Sequence, residues 1–92
     1  VKESEKRLYR ATDEILFYMW DPIGVRDIPA ARDEYQSYLP KVFKLVKADA
    51  ANTKIAAYLN EIETTSMGLG ANKPHAIDIA NILIEAKEFY CD

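Results

Sequence analysis

The chain has 92 residues, 49% of them hydrophobic, with six tyrosines, three phenylalanines, one tryptophan and a formal net charge of −3. That length is too short for two independent cores, and that apolar content is enough for one core without disulfides or metal, so a single domain over residues 1–92 is expected and intrinsic disorder is excluded. The single cysteine, Cys91, cannot form an internal disulfide and fits a reducing compartment, so the expected location is the cytoplasm.

Residues 1–7 are charged and polar, and the apolar runs are short, so neither a signal peptide nor a membrane span is predicted. Leu8, Ala11, Ile15, Leu16 and Met19 then recur at helical spacing, with Lys6, Arg7, Arg10, Asp13 and Glu14 between them, which predicts an amphipathic helix from about residue 3 to 20. Asp21-Pro22-Ile23-Gly24 must turn the chain, because Pro22 disfavours helical geometry at residue 21 and Gly24 loosens the backbone. Asp27-Ile28-Pro29 offers a cap and a first-turn proline for one short helical turn within residues 26–34.

An apolar stripe resumes with Tyr35, Tyr38, Leu39, Val42, Phe43 and Val46, and Pro40 suits a first turn, so the second main helix is expected to start near Leu39. A break follows at Asp49-Ala50-Ala51-Asn52, where Asn52 is read as the N-cap of a helix carrying Ile55, Tyr58, Leu59 and Ile62. Gly68 and Gly70 stop that helix. The last helix is expected from about Pro74 to Tyr90, with Ile79, Leu83, Ala86 and Tyr90 on one stripe and Ile82 beside it. No strand-like alternation occurs, and the predicted fold is all-α: a small helical bundle of about four main helices plus short helical turns, packed antiparallel or orthogonally.

The residues for most catalytic chemistries are missing. Zinc needs several cysteine or histidine ligands, and only His75 and Cys91 are present. His75 is also the sole imidazole base, beside a first-turn proline and without a nucleophile placed for it, so it reads as an exposed helix-start residue. Gly68-Leu69-Gly70 lacks the preceding strand and the lysine of a phosphate loop and reads as a helix stop. The acidic neighbours Asp13-Glu14, Asp33-Glu34 and Glu61/Glu63 fit solvated faces as readily as a glycosidase pair. No enzyme, metal or organic cofactor is expected. Lys41, Lys44 and Lys47 form a basic stripe, but they lie opposite an apolar helix face and the chain is acidic overall, so nucleic acid is not the expected partner either.

Residues 20–38 are the most informative stretch. Trp20, Ile23, Val25, Ile28, Tyr35 and Tyr38 alternate there with Asp21, Arg26, Asp27, Arg32, Asp33 and Glu34 in a proline-punctuated connection. Polar-edged aromatics and arginines are enriched at protein interfaces, whereas the competing reading puts Trp20 and the tyrosines into a small core and leaves the charges to solvent. For Trp20 the core reading takes precedence. The expected partner-binding set is Asp21, Asp27, Arg32, Asp33, Glu34, Tyr35 and Tyr38, joined by Glu85 and Glu88 from the last helix.

The string Trp20-Asp21-Pro22-Ile23-Gly24-Val25, then Ala31-Arg32-Asp33-Glu34-Tyr35, Tyr38, Ile62-Glu63 and Met67-Gly68-Leu69, resembles a family of small bacterial proteins. Members are sometimes encoded beside toxin domains, including those of contact-dependent growth inhibition systems. The resemblance spans about residues 15–69 and names no reaction. It implies an immunity protein that binds and neutralises a cognate toxin, possibly a nuclease; an acidic residue often stands where this chain has Gln36, which implies a different partner specificity. An acidic inhibitor competes well for the basic surface of a polyanion-binding toxin. The alternative is a non-catalytic interaction subunit or adaptor of a bacterial complex.

Overall fold

The computed structural model describes residues 2–91, and among them are four helices and no strand. Helix α1 (Glu3–Glu14) continues without a break into a π-helical turn, Ile15–Trp20, so the expected helix from 3 to 20 is present but ends in a widened turn. In that turn the Asp21 amide reaches back to the Leu16 carbonyl at 3.1 Å. Ile15, Leu16, Phe17 and Trp20 are all buried, a broader inward face than a regular amphipathic turn presents. Thr12, also buried, satisfies its hydroxyl on the Leu8 carbonyl at 2.8 Å.

The connection over residues 21–38 contains one 3₁₀ turn, Pro29–Ala31, within the stretch where a single turn was expected. Helix α2 (Leu39–Lys47) begins with Pro40 in its first turn and buries Leu39, Val42 and Val46. It ends with Asp49 in the left-handed region (φ 61°), the conformation asparagine and aspartate tolerate best after glycine.

Helix α3 (Asn52–Glu61) runs into a second π turn, Ile62–Ser66, and α4 spans Lys73–Tyr90. Two helix starts differ from expectation. Asn52 is not a cap: it is the first helical residue, Ala51 precedes it in extended geometry, and the Asn52 side-chain amide donates to Asn81 on α4 at 3.0 Å. The capping side chain sits instead at Asn72, whose Oδ1 accepts the His75 amide ahead of Pro74. Gly68, at φ 67°, makes the stop between α3 and α4 in a backbone region open mainly to glycine.

The helices run up, down, up and down. Tyr9 meets Phe43 edge-on (4.9 Å) and Glu5 pairs with Lys47 (2.8 Å), which sets α1 antiparallel to α2. Lys41 lies over the Tyr58 ring, joining α2 to α3, while the Asn52–Asn81 bond joins α3 to α4. The bundle closes where α4 returns along α1: His75 meets the end of α1 and the Cys91 thiol meets the Ser4 carbonyl near its start. The core between them includes Leu8, Leu16, Trp20, Val42, Ile55, Leu59, Ile79 and Leu83. None of the helices is long and apolar enough to cross a membrane, among the described residues.

Candidate functional site

Asp21 organises the end of the bundle where α1 gives way to the connection. It takes a left-handed backbone (φ 35°) and closes a turn in which the Gly24 amide donates to its carbonyl. Its carboxylate then accepts three bonds: from the Val25 amide (2.8 Å), the Arg26 amide (3.2 Å) and the Tyr35 hydroxyl (2.8 Å). Tyr35 Oη in turn accepts the Ile23 amide at 3.2 Å. A single carboxylate thus satisfies backbone groups that a loop would otherwise leave to water, and it fixes the loop to a buried ring.

Trp20 anchors the same end from below. Its indole N–H donates to Glu63 Oε2 at 3.2 Å, and the other carboxyl oxygen of Glu63 accepts the Asn72 amide at 3.4 Å. Glu63 is buried, and these two donors bring together the ends of α1 and α3 and the start of α4. His75 is not the free surface residue the sequence suggested. It is half-buried, and its Nε2 lies 3.0 Å from both the Met19 and the Trp20 carbonyls, so this nitrogen carries the proton and donates to the open end of α1. Arg26 donates to the adjacent Tyr18 carbonyl, so two cation-capable side chains serve the negative end of one helix.

The expected binding residues divide into four groups. Asp27, Asp33 and Glu34 are exposed on the connection and are in no ion pair among the described residues. Asp21, Tyr35 and Arg32 are internal struts. Tyr35 is only 2% exposed and packs against Phe17 and Trp20, while Arg32 makes a two-pronged pair with Asp13 (3.1 and 2.9 Å) and stacks over the Phe17 and Tyr18 rings. The bond to Asp13 raises the Arg32 pKa and keeps the guanidinium charged. Tyr38 is half-buried, with its ring edge-on to Trp20.

Glu85 and Glu88 do not join this surface, which corrects their grouping with the connection. The first turn of α4, at His75, touches Trp20, and these two acids lie ten and thirteen residues further on, about 15 and 20 Å along the helix axis. Glu88 borders a depression shared with Asp49, Ala50 and Cys91 at the opposite end of the bundle.

The expected binding set left out the apolar part of this surface: Ile23 (40%) and Ile28 (50%), read in the sequence as part of the interface-like stretch, and Tyr18 (47%) and Met19 (45%), which were not, are exposed around the acidic edge. A helix stripe assigned Met19 inward because the stripe assumed regular turns up to Trp20; the π turn rotates it out. Glu63 was also legible in principle, since it lies four residues after Leu59 and eight after Ile55, on the buried face.

Burial pushes the Tyr35 phenol well above its ordinary pKa; the Ile23 amide opposes this and the bond to Asp21 adds to it. A phenol whose folded pKa is raised contributes stability that is complete below the unfolded value, about pH 10, and is lost as pH rises beyond it. Wild-type protein is therefore expected to be more stable than Tyr35→Phe at about pH 9, with the gap closing towards about pH 11. Denaturant midpoints at the two pH values measure this; a constant gap would show that the phenol is not held in its neutral form.

Among the described residues no three or more His, Cys, Asp and Glu side chains are grouped to hold a metal ion. Comparison of the chain with protein-family profiles, curated proteins and solved structures finds no match.

Proposed function

We propose that this chain is a non-enzymatic immunity protein that neutralises a bacterial toxin in the cytoplasm by covering it with the 21–38 connection and the exposed end of α1. The observation that carries this reading is the mixed surface there: Tyr18, Met19, Ile23 and Ile28 exposed beside the uncommitted carboxylates of Asp27, Asp33 and Glu34. Apolar groups ringed by charge suit a protein partner, and the acids favour a basic one by steering its approach. Asp21, Tyr35 and Arg32 hold the loop in place beforehand, which lowers the ordering cost of association.

The direct test is coexpression with the protein encoded next to this chain's gene. Restored growth and an equimolar complex support the reading; a neighbour that is harmless alone, or a toxin that the chain neither binds nor suppresses, overturns it. The same surface on an adaptor subunit would hold its partner without changing any toxicity. In the complex, Asp33→Ala/Glu34→Ala is expected to lower affinity about tenfold at low salt, mainly through slower association, and the deficit should shrink as salt screens the charges. Unchanged affinity at both salt concentrations, with the helical circular dichroism intact, would place the interface elsewhere.

A further inference from the structure

A second surface lies between α1 and α2 and meets the 21–38 connection at Asp13, which Arg32 holds. Its floor is the edge-on pair Tyr9 and Phe43, with Tyr9 39% exposed, and its rim is formed by Glu5, Lys6, Arg10 and Asp13. Both acids on that rim are already matched. Lys47 bonds Glu5 and, through that bond and then its charge, holds the Glu5 carboxyl below its ordinary pKa, while Arg32 takes Asp13 in two-pronged fashion. Lys6 and Arg10 are exposed and in no ion pair among the described residues, while Lys47 from α2 offsets the charge of Glu5 and Arg32 that of Asp13. A chain that is acidic overall therefore presents a locally basic groove over an aromatic floor. Its length, from Glu5 to Asp13, is about 12 Å, two helical turns.

We propose that this groove docks an acidic peptide segment of a partner protein, seating one bulky apolar side chain against Tyr9 and Phe43 and placing carboxylates against Lys6 and Arg10. A peptide is favoured over a nucleic acid because the two rings stand at 78° to each other and offer no flat platform for a stacked base. The site is independent of the toxin-binding reading, since it uses none of the exposed residues of the 21–38 end.

The test titrates isotope-labelled full chain with a dodecapeptide of aspartate and glutamate bearing a central Leu-Phe pair, followed by amide chemical shifts. Saturable shifts confined to Lys6, Tyr9, Arg10, Phe43 and their neighbours are expected. The charge reversal Lys6→Glu/Arg10→Glu, at exposed positions that leave the core intact, and Tyr9→Ala should each weaken binding about tenfold or more. Replacing the Leu-Phe pair by serines should do the same. No saturation at about 1 mM peptide, the weak limit of specific binding, would overturn the proposal. So would shifts centred on residues 21–38, or an oligothymidylate of the same length binding as tightly as the peptide.

Discussion

Trp20→Ala is expected to remove about 3–5 kcal/mol of unfolding free energy. The indole is 1% exposed and lies 5.3 Å from the Tyr35 ring and 6.4 Å from the Tyr38 ring, so its removal opens a cavity under the connection as well as between the helices. It also strips a donor from Glu63, a buried carboxyl left with the Asn72 amide alone, and an unmatched buried polar group adds its own penalty. Trp20→Phe helps to separate the two contributions, because it removes the donor while keeping a six-membered ring in the cavity; its loss should be clearly the smaller. Guanidinium denaturation followed by circular dichroism gives both values. A Trp20→Ala loss under about 1 kcal/mol would mean that the junction repacks without the indole.

Leu83→Ala and Leu59→Ala are each expected to cost about 2–5 kcal/mol. Both side chains are fully buried, on α4 and α3, the antiparallel pair tied by Asn52 and Asn81. Ile15→Ala belongs at the lower end of the same range, since Ile15 keeps 9% of its surface in contact with solvent. The ordering is the sharper check: an Ile15 loss exceeding both leucine losses would show that the π turn, rather than the α3–α4 seam, carries the core.

Wherever a regular period governed burial, the sequence was a sufficient guide. Leu8, Val42, Val46, Ile55, Leu59, Ile79 and Leu83 lie inward as their spacing requires, and Pro40 and Pro74 mark first turns because a missing amide hydrogen does no harm there. Spacing says which face of a helix is apolar, but not which helix ends meet. Glu85 and Glu88 were grouped with the connection for their charge, yet the antiparallel return of α4 carries them to the other end. Asp21 lies in a segment without period, and although Tyr35 opens the apolar stripe that leads into α2, spacing alone could not separate a ring that plugs the core from one that greets a partner. The exposure of Asp27, Asp33 and Glu34 was legible because charged groups in a connection without an apolar period keep their hydration. The π turns left no compositional mark, and with them Met19 moved from the expected core to the surface.

Trp20 is the only tryptophan in the chain, and it touches the connection through Tyr35 and Tyr38, the end of α3 through Glu63, and α4 through the bond from His75 to its carbonyl. The protein consequently carries its own optical label. Emission excited in this one indole should be shifted to the blue while the ring is dry and beside a carboxyl group, and should change when a ligand presses on Ile23, whose amide bonds the hydroxyl of the neighbouring Tyr35. Ligand encounter at the acidic end and separation of the helices would then be followed in real time by the same native fluorophore, with no dye attached to the surface under study.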